Sequence, residues 1–402
     1  MKYCVLIVDG AADWPLPDRG NKTVLELSRT PHLDSLAREG TIGLTNNVPP
    51  GMEPSSAVAC MSLLGYDPAV YYRGRAAIEA VSMGVPIERG EAVFRCNLVA
   101  TKGGRMWSYC AGHIGSEEAG ELIEALNEKL GSDEVRFFPG VGYRHLLKIK
   151  GHMDTTEAVC TPPHDIPDKP VAEFLPKGRG SLFLNRLMAD SQEVLKHHPV
   201  NYRRVARGQI PATSAWLFWG SGAIPEMPSF KKAYGLKASI TSGVDLLRGL
   251  GQMMQMTILD IEGVTDDIKN NFSGQAQGAL SSLSDHDLAV IHVEAPDEAG
   301  HAGNAEEKIR AIEVTDAEIV KRLREFAVGH PLRVLVMPDH PTPVGARTHV
   351  AEPVPFLLWG AGFEADEAVR FTEAEAGRTG LLIPQGHNIM GRFTGGRKNA
   401  PA

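Results

Sequence analysis

Residues 3–8, Tyr-Cys-Val-Leu-Ile-Val, form an unbroken apolar run that stops at Asp9-Gly10. A run of that length, rich in β-branched side chains, fits a strand buried on both faces and followed by a loop. Two similar runs lie far downstream: residues 288–293 before Glu294-Ala295-Pro296-Asp297, and 332–336 before Met337-Pro338-Asp339. Each ends with an aspartate just past the strand. Thr30-Pro31, then Leu33, Leu36 and Ala37 before Gly40, carry an N-cap, a proline at the first helical position and a glycine stop, which predicts a helix over 31–39. Residues 304–327 space Ile309, Ile312, Ile319 and Leu323 among charges, the pattern of one long amphipathic helix.

Strand, helix, strand implies a parallel unit. Three strand-end aspartates from opposite ends of the chain would converge in a doubly wound, mostly parallel α/β sheet, where ligands bind outside the carboxyl ends of the strands. The middle reads differently, with strand-like runs at 93–99 and 145–150 and a helix over 117–130 between them. A smaller inserted α+β domain over 91–176 is expected, with 1–90 and 177–402 forming one discontinuous domain and the proline-dense segment 161–167 leading back to it. Residues 216–222 and 356–362 resemble each other as strand-to-loop endings and do not amount to a repeat.

With 402 residues, 43% of them hydrophobic, the chain is long enough for two domains with their own cores. Its 42 glycines and 27 prolines imply many shaped loops, which suits an enzyme. A net charge of −8 and the lack of a dense lysine-arginine cluster argue against nucleic-acid partners. Five scattered cysteines without a C-x-x-C pair predict neither a disulfide framework nor a thiolate zinc site. The apolar run at the N-terminus is too short for a signal-peptide core and no stretch approaches a membrane span, so a cytoplasmic protein without a membrane partner is expected.

Asp297 and His301 stand four residues apart, where a short turn would aim both at one cation. Asp339-His340 follows another strand, and His349 comes nine residues after His340. With Asp9 these are six candidate ligands, hard oxygens and borderline nitrogens suited to Mn2+, Zn2+ or Fe2+ more than to Ca2+. Ser55-Ser56 opens a helix of small residues closed by Gly65. A serine there would lie where the positive helix end favours an anion, or else Ser55 or Ser56 merely caps the helix. Arg73, Arg75, His113, Arg144, Arg203, Arg204 and Lys231 are candidate oxyanion clamps. No phosphate-binding G-x-x-x-x-G-K-[ST] motif is present, which excludes a P-loop kinase.

Asp9-Gly10, Leu63-Leu64-Gly65-Tyr66-Asp67-Pro68, Tyr72-Arg73-Gly74-Arg75, Ala295-Pro296-Asp297-Glu298-Ala299-Gly300-His301, and Pro338-Asp339-His340-Pro341-Thr342-Pro343 with Arg347-Thr348-His349 resemble segments of one family. It is that of the archaeal-type bisphosphoglycerate-independent phosphoglycerate mutases, in the alkaline phosphatase superfamily. The resemblance runs over nearly the whole chain. It implies two divalent metal ions, Mn2+ first with Zn2+, Co2+ or Mg2+ as alternatives. One would take Asp297, His301 and His349, and the other Asp9, Asp339, His340 and the nucleophilic Ser56. It further implies a small phosphorylated three-carbon acid as substrate, held with the help of Arg73, His113 and Arg144. The reaction would interconvert 3- and 2-phosphoglycerate through phosphoserine, a step of glycolysis and gluconeogenesis. It assigns no oligomeric state. The chain departs from the family in having Ser55-Ser56-Ala57 where Gly-Ser-Asp is expected. A phosphatase, or a phosphotransferase acting on homoserine, would share every metal ligand and stands as the alternative. A degenerate member that binds metabolite without turnover is opposed by the intact ligand set.

Overall fold

A computed structural model of the chain describes residues 1–396 and divides it into two compact units. The first comprises Met1–Tyr72 and the chain from Glu226 onward; the second is Arg73–Pro225. Among the described residues no helix is long and apolar enough to cross a membrane, and all five cysteines are free.

The first unit is built on an eight-stranded, mostly parallel sheet. Its order is Leu382–Ile383, Thr41–Thr45, Val354–Gly360, Leu332–Met337, Lys2–Val8, Leu288–Val293, Ala238–Thr241 and Thr257–Ile258. Lys2–Val8 lies at the centre, parallel to Leu332–Met337 on one side and Leu288–Val293 on the other. All three predicted strands therefore end together, carrying Asp9, Glu294 and Asp339 to the same edge. The strand Val354–Gly360 runs antiparallel to its two neighbours. One face of the sheet packs on the predicted helix Pro31–Glu39 and on the helices from Phe272–Ser282 and Ala305–Thr315, through Leu33, Leu36, Ala276 and Ile312.

The predicted helix over 304–327 proves to be three pieces: Ala305–Thr315, a π turn Asp316–Val320, and Lys321–Gly329. The extra residue of the π turn serves a purpose that periodicity does not report. Asp316 accepts the N–H groups of His32 and Leu33 and so caps helix Pro31–Glu39 from outside, in place of Thr30, whose side chain makes no cap bond.

The second unit is wider than the expected insert at 91–176. Its sheet pairs the long strand Glu91–Lys102 antiparallel with Arg144–Lys150 on one side and with Ser214–Gly222 on the other. The last strand was expected to lie outside the insert, but seven backbone partners along Glu91–Lys102 bind it. Helices Ser116–Leu130 and Ser181–Lys196 cover this sheet through Leu122, Leu126, Leu184 and Leu187. The proline-dense segment 161–167 does not lead back to the first unit; the Thr161 carbonyl accepts the indole N–H of Trp216 at 2.8 Å inside the second.

Candidate functional site

All seven predicted ligand positions belong to the first unit, and the fold brings them together. Asp9 follows the central strand, in the turn that Gly10 makes possible. Gly10 has φ +61, and a Cβ there would meet Oδ1 of Asp297 at 2.5 Å and its Cα at 2.8 Å, so only glycine lets the two carboxylate-bearing segments approach. The segment expected to be a short turn is helix Ala295–Ala302, with Asp297 at its third position. Pro296 is tolerated in that first turn, and Gly303 closes the helix at φ 69. Asp297 and His301 are thus an i, i+4 pair on one helical face.

The Nε2 atoms of three imidazoles point inward. His301 Nε2 lies 2.8 Å from His349 Nε2 and 3.2 Å from Oδ2 of Asp297, and His349 Nε2 lies 3.5 Å from Oδ1 of Asp297. His340 Nε2 lies 3.2 Å from Oδ2 of Asp339, 3.7 Å from Oδ1 of Asp9 and 3.2 Å from the hydroxyl of Ser56. Its ring is 4.0 Å from that of His349, so His340 stands within reach of both clusters.

The other ring nitrogens explain this orientation. His301 Nδ1 donates to the carbonyl of Arg347 at 3.1 Å and His349 Nδ1 to the carbonyl of Pro54 at 3.3 Å. The Thr342 hydroxyl gives its one proton to Asp297, so it accepts from His340 Nδ1 at 3.2 Å. With every Nδ1 proton committed, the Nε2 atoms are left facing carboxylates. Ring nitrogens and carboxylates converge, and among the described residues Oδ1 of Asp9 and Oε2 of Glu294 are buried with no hydrogen-bond partner. That donor set fits a divalent cation, and outer groups holding the tautomer are what metal-ligating histidines require.

The electrostatics agree. Burial, followed by the charges of Asp339 and Asp297, pushes the Asp9 carboxyl well above its ordinary range. Burial likewise raises Glu294, with the Asp9 charge adding to it. Burial also works against charge on Asp297, but hydrogen bonds from His301 and His349 outweigh it and hold that carboxyl well below the ordinary range. The bond to Asp297 lifts His301 to about 9, so that without a cation a proton takes the positive charge the site calls for.

The two neighbouring serines are distinguished by position. Ser55 is the N-cap of helix Ser56–Leu63, its hydroxyl accepting the N–H of Val58 at 3.4 Å. Ser56 is the first helical residue, with its hydroxyl directed at His340. Arg73, His113 and Arg144, the candidate substrate-binding residues, are exposed on the second unit. His113, held at φ 52, and Arg144 flank the ring of Tyr143 at 6.5 and 6.0 Å, while Arg73 lies just before helix Arg75–Ser82. Arg203 and Arg204 are engaged with Glu121 and Glu118.

Three residues around the cluster escape sequence reasoning. His292, inside an otherwise apolar strand, lies 2.7 Å from Oδ2 of Asp9, with its Nδ1 3.0 Å from the Ser242 hydroxyl. Cys60, one turn after Ser56, reaches Oδ2 of Asp339 at 3.5 Å. Thr342 joins His340 to Asp297. The only advance signal was a lone polar residue in an apolar run.

The family model described as 2,3-bisphosphoglycerate-independent phosphoglycerate mutase matches residues 37–201. The chain is 44% identical over 394 residues to the mutase of that name from Methanosarcina barkeri, covering 97% of this chain and 98% of the relative. A Pyrococcus horikoshii protein of known structure superposes with a TM-score of 0.81 at 26% identity, over 100% of this chain and 99% of that one. The cofactor-independent phosphoglycerate mutase of Thermoplasma acidophilum does so with a TM-score of 0.65 at 25% identity, over 98% and 99%. The chain belongs to the 2,3-bisphosphoglycerate-independent phosphoglycerate mutases, and is an isomerase of that class.

Proposed function

We propose that the protein interconverts 3-phosphoglycerate and 2-phosphoglycerate through a phosphoserine on Ser56, in the cytoplasm, with two divalent cations of which Mn2+ is the first choice. The observation that carries this reading is the Ser56 hydroxyl, at a helix N-terminus and 3.2 Å from His340 Nε2, beside converging carboxylates and imidazoles. Asp297, His301 and His349 would hold one cation and Asp9, Asp339, His340 and Ser56 the other. Bound there, the cations supply positive charge against the phosphoryl oxygens and favour the ionised serine hydroxyl.

The residues of the chain do the rest. Ser56 takes the phosphoryl group from one hydroxyl of glycerate and returns it to the other. The positive end of helix Ser56–Leu63 adds to the field that favours an anion. Arg144 and His113, with Arg73, are the groups of the second unit suited to the acid's carboxylate, since a guanidinium fork matches two carboxylate oxygens. Retention of glycerate separates a mutase from a phosphatase with the same ligands.

Phosphorus NMR of 3-phosphoglycerate with the protein and Mn2+, and with chelator as control, tests the reading. The expected result is 2-phosphoglycerate with little free phosphate, no need for added bisphosphoglycerate, and no conversion in chelator. Steady release of inorganic phosphate would favour the phosphatase. Silence on phosphoglycerate, with turnover of homoserine and a nucleotide, would favour the phosphotransferase.

A further inference from the structure

We infer that Lys308 and Asp13 are positioning residues for the candidate cation site, a buried ion pair that ties the loop after strand Lys2–Val8 to the loop after strand Leu332–Met337. The inference rests on the reading of Asp9, Asp339 and His340 as cation ligands.

Lys308 lies on helix Ala305–Thr315 at a core-facing position, on the same side as Ala305, Ala311 and Ile312, and no part of it reaches solvent. A buried ammonium needs an acceptor for each of its three protons. Nζ finds the carbonyl of Ala12 at 3.2 Å, Oδ2 of Asp13 at 2.8 Å and the carbonyl of Thr342 at 2.8 Å. Asp13 extends the tie. Its two carboxylate oxygens accept the N–H of Val344 at 3.3 and 3.2 Å, one of them also accepts the N–H of Trp14 at 2.8 Å, and its own N–H donates to Glu373 at 3.1 Å. The Thr342 N–H closes the circle on the Ala12 carbonyl at 3.2 Å.

Every acceptor of Lys308 is therefore on a segment that carries ligands. Asp9 precedes Asp13 by four residues, and His340 precedes Thr342 by two. Thr342 transmits the constraint, because its carbonyl is held by Lys308 while its hydroxyl receives His340 Nδ1 and donates to Asp297. A buried ion pair is a poor device for stability alone, since apolar side chains of similar volume often serve as well. What the pair supplies and apolar packing does not is direction: a fixed place for the Thr342 carbonyl and for the backbone of the Asp9 loop.

The test uses the full-length protein, stripped of metal by chelator and titrated with Mn2+ in a calorimeter. Wild type, Lys308→Met and the double variant Lys308→Met/Asp13→Asn are compared, with circular dichroism to establish that each is folded at the titration temperature. The double variant leaves no uncompensated buried charge, so it separates loss of the tie from loss of the fold. The expected result is a Mn2+ dissociation constant weakened about ten- to a hundredfold, the range typical for outer-shell partners of metal ligands, together with a lower kcat and an unchanged KM for phosphoglycerate. A folded double variant with wild-type Mn2+ affinity would overturn the inference and leave the pair a purely structural role. A wild-type protein that takes up no Mn2+ would overturn the ligand reading first, and the inference with it.

Discussion

The two halves of the ligand cluster are built in different ways. The inner half, Asp9, Asp339 and His340, hangs from the ends of adjacent parallel strands, and its side chains are wholly buried. Backbone groups fix it: Oδ1 of Asp339 accepts the N–H of Gly10 at 3.2 Å and of His340 at 2.8 Å, and Asn47 donates to the Asp339 carbonyl at 2.7 Å. The outer half pairs one face of a short helix, Asp297 and His301, with His349 on a loop, and the His301 side chain is 37% exposed. Inner ligands are thus part of the sheet's own hydrogen bonding, whereas outer ligands are attached to it. Loss of an inner ligand should cost folding as well as chemistry, and loss of the partly exposed His301 mainly chemistry.

The largest expected effect is on the serine that faces the inner half. Ser56→Ala should lower kcat on the order of 10⁴-fold or more, as removal of a nucleophile does, with an unchanged melting profile because Ser56 is not the cap. Activity retained in Ser56→Ala would end serine catalysis as an explanation. The contrast between halves is sharpened by Asp339→Ala beside His301→Ala, both melted in chelator. The inner variant strands two buried N–H groups at about 1–3 kcal/mol each, while the outer one loses only the partly exposed pair of His301 with Asp297, worth no more than about 1 kcal/mol. Equal melting curves would break the comparison.

Burial lifts the Glu373 carboxyl to about 7, against the hydrogen bonds it accepts from Thr23 and Asp13, which favour its charged form. A raised carboxyl keeps in the folded state a proton that the unfolded chain releases near 4.5. Stability should therefore fall as pH rises from about 4.5 to 7 and level off above, by at most about 3 kcal/mol from this group. Glu373→Gln should flatten that slope in denaturant titrations across the window, and an unaltered slope would place its origin elsewhere. The smallest effect is that of Ser55→Ala, a lost cap worth about 1 kcal/mol with activity kept. Inactive Ser55→Ala beside active Ser56→Ala would exchange the roles of the two serines.

What the sequence reveals follows the same division. Strands 3–8, 288–293 and 332–337 announce themselves because burial on both faces demands a largely apolar run, interrupted only by His292 and Arg333, and an aspartate follows each within a few residues. Thr41–Thr45 and Val354–Gly360 pair antiparallel through a register set by partners some 300 residues apart, which no local pattern encodes. The reach of the second unit is hidden for the same reason, since Ser214–Gly222 joins it only through Glu91–Lys102. At the site, the spacing of Asp297, His301, Asp339, His340 and His349 is visible. Lys308 is not, because a lysine in an amphipathic helix reads as solvated unless its place on the apolar stripe is weighed. His292 is masked by the run that makes its strand legible.

The central position of strand Lys2–Val8 also bears on synthesis. It leaves the ribosome first, yet its two neighbours in the sheet begin at residues 288 and 332. At about 5–20 residues per second, it waits roughly 15–60 s for the nearer of them. By then every strand of the second unit, which is continuous in sequence, has long since emerged. Birth order is thus inverted. The segment made in the middle can assemble first, while this apolar strand stays unpaired until late, which makes this interval the one in which a chaperone has the most to shield.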